Sequence, residues 1–189
     1  CSTINEIKES YLIDYMAPLD ISKSPFKDNQ FDCCISTNTM EHIPKKQIIK
    51  ILLELKRIIR KEGIISACID YSDHYSHTDS KIGSLNYLKF SEEEWERYNH
   101  ESHFLNRLRH YDYENIFLEL GYEIMLSKPL FTVEKPSEIT SFFDKQNPTV
   151  HATSGVFLLK IHIDNFGEHI RFPVPSGSIP AIIFRSVVL

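Results

Sequence analysis

Glycine is scarce in this chain. There are six in 189 residues and none before Gly63, which excludes a glycine-rich nucleotide turn from everything ahead of that position. The four cysteines, Cys1, Cys33, Cys34 and Cys68, form no C-x-x-C pair. Three of them lie in apolar runs, so they read as small, reduced core residues of a cytoplasmic protein. No apolar run approaches the roughly 18 residues of a membrane span. The amino terminus lacks the basic-then-apolar order of a signal peptide. Positive charge is not in excess either: 21 Lys and Arg against 26 Asp and Glu leave a net charge of −5. Nothing therefore argues for a nucleic-acid or membrane-surface partner. Internal repeats and low-complexity segments are absent.

What is present fits one globular domain of ordinary composition. Its organising stretch is Leu19 to Asp70. Phe31 to Thr37 is an apolar run without alternation, as in a strand covered on both faces. Pro44 suits a first helical turn, and a helix is predicted from there to Lys61. Ile48, Leu52, Leu55 and Ile59 fall at helical spacing, with Ile51 and Ile58 widening the stripe. Arg57, Arg60 and Lys61 favour its carboxyl end, and Gly63 is the expected left-handed cap. Ile64 to Ile69 then forms a second strand ending at Asp70. Strand, helix and strand of this length read as a right-handed crossover between parallel strands. Ligands in such sheets sit beyond the carboxyl ends of the strands.

Elsewhere Tyr11 to Met16 reads as a short strand, and residues 1–10 contain no clear element. Ser91-Glu92-Glu93-Glu94 is a capping box ahead of Trp95. Asp112 is expected to cap a helix whose Tyr113, Ile116, Phe117 and Leu120 face inward, closed by Gly121. Tyr122 to Ser127 reads as a strand stopped by Pro129. Ser137 to Lys145 reads as a turn or two of helix, and Gly155 to Ile161 as a strand. Residues 162–189, broken by Pro173, Pro175 and Pro180, are set apart as a tail of unassigned role. The domain proper is taken as residues 1–161.

Two polar groups carry the candidate chemistry. Asp70, Asp73, His74, His77 and Asp79 crowd one long loop. Their residue types suit either deprotonation of an acceptor hydroxyl or a zinc or manganese site. Hydrogen bonds that merely fold the loop are the plainer reading. His100, His103, Asn106, Arg107, Arg109 and His110 form the second group. Its arginines suit a carboxylate or phosphate, or a tether for the first loop through its aspartates. Glu41-His42 reads as structural, with Glu41 near the positive end of a helix.

Asp20, the Pro-Phe-x-Asp-x-x-Phe-Asp run at 25–32 and Glu41-His42 resemble the middle of a class I S-adenosylmethionine-dependent methyltransferase. Asp70 with Asp73-His74-x-x-His77, and Asn106-Arg107-Leu108-Arg109, resemble a branch found among sugar and surface-glycan biosynthesis enzymes. The resemblance implies an α/β fold, a Rossmann-like sheet with helices on both faces. It implies S-adenosylmethionine as cofactor, with Asp20 accepting from the adenine amino group and the Ile21 N–H meeting a ring nitrogen. Asn38, Thr39 and Met40 would line the pocket, with His42 beside them. On the acceptor side, His74, Asp70 and His77 are the catalytic candidates, and Asp73, Arg107 and Arg109 the substrate-binding ones. No resident metal is expected. The activity implied is methyl transfer to an oxygen or nitrogen of a small molecule or glycan.

The family's glycine-rich first turn and its second-strand acidic residue have no counterpart here. The expectation is therefore a methyltransferase sheet lacking its first strand–helix–strand unit, with weak cofactor binding. The strand at 31–37 would keep a bare edge, open to self-pairing or a homo-oligomer contact, as would the tail. Two other readings remain open: a non-enzymatic remnant that binds a partner, and a metal-dependent hydrolase using the 70–79 loop.

Overall fold

A computed structural model describes residues 4–11, 13–132, 136, 138–161 and 186–188. Its centre is the predicted crossover. Strand β1 (Phe31–Thr37) leads through a 3-10 turn at Met40–His42 into helix α2 (Lys45–Ile58), then directly into β2 (Ile59–Asp70). The strands pair in parallel, with Cys34 opposite Ile65 and Thr37 opposite Cys68. Ile48, Ile51, Leu52, Leu55 and Ile58 are the buried face of α2. Each contributes about 1.5–3 kcal/mol by leaving water.

The helix stops at Ile58, short of Lys61, and Gly63 is not its cap. Glu62 takes the left-handed conformation, with φ 68°, and Gly63 lies inside β2 where the register with β1 shifts. A Cβ on Gly63 would collide with Ile59 Cγ2 and stand 2.7 Å from the Asp32 carbonyl and 2.8 Å from that of Arg60. Close backbone approach, not helix termination, requires glycine there. Arg57 likewise serves the neighbouring loop: it binds Asp28 at 2.6 Å and the Phe26 carbonyl at 2.8 Å.

The remaining strands are β3 (Tyr122–Leu130), β4 (Ser154–Ile161) and β5 (Ser186–Val188). The sheet order is β3-β4-β2-β1-β5, with β4 antiparallel to both β2 and β3. Helix α4 (His110–Glu119) packs beside β3 and ends at Gly121, φ +71°. Asp112 is its third residue and not its cap; its carboxylate accepts from the Arg109 N–H at 2.8 Å. The capping box at Ser91 opens the short α3 (Glu92–Glu96) as expected. Pro129 does not stop β3, because β3 is an edge strand whose outer side needs no donor. Residues 138–145 form turns without a helix.

Two expectations fail at the β1 side. Residues 11–16 are no strand: helix α1 (Ile4–Tyr11) ends at Tyr11. Ile13, Tyr15 and Met16 follow in irregular chain, each half exposed or more. Their apolar pattern was read as a strand, but among the described residues no strand pairs with them. The β1 edge is also not bare, since β5 pairs in parallel with Cys33, Cys34 and Ile35. Part of the tail thus joins the sheet, while residues 162–185 lie outside the described residues.

Two apolar clusters result. The larger one joins α2, α4 and the sheet. The smaller gathers Leu85, Tyr87, Leu88, Trp95, Leu105, Phe143 and Val150 over the loops beyond β2.

Candidate active site

The carboxyl ends of β1 and β2 lie side by side and present the loops that carry the candidate residues. On the β1 side is a cavity of about 450 Å³ lined by Leu19, Asp20, Ile21, Thr39, Ile43 and Gln47, among others. Its volume falls in the range of small-molecule sites, about 300–1,000 Å³. Asp20 caps the 3-10 turn Ile21–Lys23 by accepting from Ser22 N at 3.0 Å and Ser22 Oγ at 2.7 Å, both on Oδ1. Those bonds hold its carboxyl below the usual range, so it stays ionised at neutral pH. Oδ2 accepts no hydrogen bond among the described residues. Of the five residues assigned to the cofactor, Asp20, Ile21 and Thr39 line this cavity; Asn38 and Met40 do not. Met40 is 1% exposed and packs in the main core. Asn38 turns with positive φ and donates its N–H to the Cys68 carbonyl.

On the β2 side, Asp70 and His74 form a pair, Oδ2 to Nε2 3.5 Å. Ser72 N donates to Asp70 Oδ1 at 2.7 Å. Burial alone would raise the Asp70 carboxyl, but the contacts with His74 and Ser72 outweigh it and hold it at about 2. Asp70 in turn raises His74 above the ordinary imidazole value. The His77 ring stacks on His74 with centroids 4.9 Å apart, and its Nε2 lies 3.2 Å from Ser72 Oγ. The three catalytic candidates are therefore together.

The three substrate-binding candidates face the protein. Asp73 is fully buried; it accepts from Tyr75 N and from Asn86 Nδ2, each at 3.0 Å. Arg107 reaches the carbonyls of Tyr87 and Phe90 and pairs with Glu92 at 2.6 Å. Arg109 is fully buried and donates to the carbonyls of Tyr71, Val150 and Ala152 and to the Tyr87 hydroxyl. Their donors and acceptors are spent on folding the loops. The tether reading was right in kind, but its partners are carbonyls, a tyrosine hydroxyl and Glu92, not the loop aspartates. Asp70 and Arg107 do line one small cavity of about 10 Å³, close to the space of one water. The metal set imagined for the 70–79 loop is not assembled. Asp73 is engaged, and Asp79 accepts from Lys81 N at 2.9 Å.

Sequence reasoning undervalued Glu41. It is 3% exposed, and among the described residues neither carboxylate oxygen has a hydrogen-bond partner. Burial raises its pKa. Its turn is clamped by Asn106, whose Nδ2 donates to the carbonyls of Met40 and Ile43, each at 2.8 Å. The Asn106 N–H donates to the Glu41 carbonyl at 2.9 Å. The signal available was a Glu-His pair directly beyond the carboxyl end of a central strand.

Residues 5–67 match the family model described as a methyltransferase domain. This segment of the chain is similar to that family. Among solved structures, the PH0226 protein of Pyrococcus horikoshii OT3 superposes with a TM-score of 0.51. It is 12% identical, over 84% of this chain and 65% of that one. That likeness shows a shared fold over most of this chain. A chain from the Haloferax volcanii complex of the Trm112 methyltransferase activator with a candidate methyltransferase is 14% identical. Its TM-score is 0.45, and the match covers 76% of this chain and 59% of that one. An S-adenosylmethionine-dependent methyltransferase of Methanosarcina mazei is 10% identical with a TM-score of 0.47, over 83% and 76%. The chain thus spans less than two thirds of the first two structures. No curated protein matches it by sequence. Among the described residues, no helix is long and apolar enough to cross a membrane.

Proposed function

We propose that this methyltransferase domain carries the adenine side and the acceptor side of an S-adenosylmethionine-dependent methyl transfer. The acceptor atom is an oxygen or nitrogen of a small molecule or glycan. The observation that carries this reading is the cavity holding Asp20, Ile21 and Thr39, next to the strand that ends at Asp70 and His74. Asp20 fits an adenine amino group: it is ionised, and Oδ2 is left to accept. In the turn that Asp20 opens, the Ser22 and Lys23 N–H groups are held by Asp20, which leaves the Ile21 N–H as the donor to a ring nitrogen. The cofactor supplies an electrophilic methyl group. The chain's part is to position the acceptor and take its proton. His74 does so in its neutral form, with Asp70 steadying the imidazolium that results.

Titration calorimetry with S-adenosylhomocysteine tests the assignment. Asp20→Asn keeps one oxygen for the Ser22 bonds but leaves none for the ligand. The expected result is weak saturable binding to the native chain, since the glycine turn is missing. Asp20→Asn should weaken it about ten- to a hundredfold, the worth of one hydrogen bond to a charged group. Equal binding by both proteins would remove Asp20 from the site. No binding to the native chain would overturn the cofactor assignment of this cavity.

A further inference from the structure

Glu41, His42 and His74 each offer one ligand atom, and these atoms all lie within 4.8 Å of one another. Three observations point the same way. Glu41 is buried with both oxygens unpartnered, an arrangement that costs free energy unless something compensates the carboxylate. Protonation alone would not satisfy it, because a carboxylic acid still needs both an acceptor and a donor. Second, His42 Nδ1 lies 2.9 Å from the Phe104 carbonyl. A carbonyl only accepts, so Nδ1 carries the proton and Nε2 keeps its lone pair. That is how an imidazole is set for metal ligation. Third, Asp70 rests against the His74 ring, the carboxylate–histidine contact that supports ligand imidazoles.

We propose that Glu41, His42 and His74 form a site for one divalent transition-metal ion of the zinc type. Two imidazoles and one carboxylate suit such an ion, whereas magnesium and calcium prefer oxygen ligands throughout. Ligation at about 2.0–2.2 Å draws the three groups closer together. The turn bearing Glu41 and His42 is anchored by Asn106 and Phe104 from the opposite loop, so the side chains make the adjustment. Three protein ligands leave a further position open, as in zinc sites that act on a bound oxygen. A hydroxyl reaching that position becomes more acidic. With the ion bound, the His74 lone pair is occupied, and the ion takes over from the imidazole in favouring loss of the acceptor proton. The site stands on Glu41 and does not depend on the methyl-transfer reading.

The test is calorimetric titration of the full chain with Zn²⁺ and, separately, Mg²⁺, without S-adenosylhomocysteine, so that its failure and that of the cofactor assignment are read apart. Visible absorption of the Co²⁺ form reports the donor set. Saturable binding of one Zn²⁺ and little response to Mg²⁺ are expected. His42→Ala and Glu41→Gln should each weaken Zn²⁺ binding at least about tenfold and bleach the Co²⁺ bands. His100→Ala, at another loop histidine, should change neither. His42 is exposed, so its replacement costs the fold little beyond the hydrogen bond to Phe104. Glu41→Gln without metal should melt no lower than the native chain, because it removes a buried unpaired carboxylate. A drop in its melting temperature overturns that premise. Equal Zn²⁺ affinity in all variants, or none in the native chain, overturns the site.

Discussion

At the scale of single residues, Asp70 and His74 make stability depend on pH from both sides. The Asp70 carboxyl is held at about 2, below its ordinary value near 3.9. Its contribution is present above that ordinary value and is lost as pH falls toward about 2. His74 is shifted the other way, raised by Asp70. Its contribution is complete below the ordinary imidazole value of about 6.5 and fades as pH rises through the raised one. The pair should therefore stabilise most between about pH 4 and 6.5. Denaturant melts of the native chain and Asp70→Asn should differ most near the middle of that window, converge in acid, and narrow in alkali to what the Ser72 bonds hold. A difference that does not vary with pH would mean that the pair is not coupled.

Elements show why some of this chain could be read in advance. The α2 stripe and the parallel β1–β2 crossover follow from periodicity and turn chemistry, which are local. The place of Asp70 at the end of a strand was also legible. Orientation was not legible: Asp73, Arg107 and Arg109 have the residue types of a substrate site but point inward. Only the tertiary positions of their partners decide that: Asn86 for Asp73, and the carbonyls of Tyr71, Tyr87 and Ala152 for the arginines. Gly63 is the same lesson in backbone form. A glycine after a helical stripe suggests a cap, yet its reason is the distance to the Asp32 and Arg60 carbonyls. Those atoms belong to the backbone and cannot swing away. Gly63→Ala should therefore cost about 1–3 kcal/mol by overpacking, read as a lower denaturant midpoint. At Gly121, by contrast, the nearest obstacle is the mobile Lys56 Nζ at 3.3 Å. Gly121→Ala should cost mainly the left-handed conformation, about 1 kcal/mol. If Gly63→Ala is neutral, the register shift beside it adapts more easily than the packing implies.

At the scale of the whole molecule, the described residues form two apolar clusters, and Arg109 ties them together. Its guanidinium donates to the carbonyls of Tyr71 and Ala152, which belong to the larger cluster. It also donates to the Val150 carbonyl and the Tyr87 hydroxyl of the smaller one. Its charge lies over both tyrosine rings, 5.3 Å from the Tyr71 centroid and 5.6 Å from that of Tyr87. Removing the guanidinium strands buried carbonyls, each at a cost of about 1–3 kcal/mol. Arg109→Met retains much of the side chain's bulk, so the variant isolates the bridge from the packing. Trp95, the chain's single tryptophan, sits in the smaller cluster, and its fluorescence reports that cluster alone. Far-UV circular dichroism weights the helices and the sheet. In the native chain the two signals should unfold together, as one cooperative unit. In Arg109→Met the fluorescence change should come at lower denaturant than the dichroism change, because the loop cluster that frames Asp70 and His74 loses its tie to the sheet. Coincident transitions in the variant, merely shifted to lower denaturant, would show that side-chain packing alone joins the two clusters.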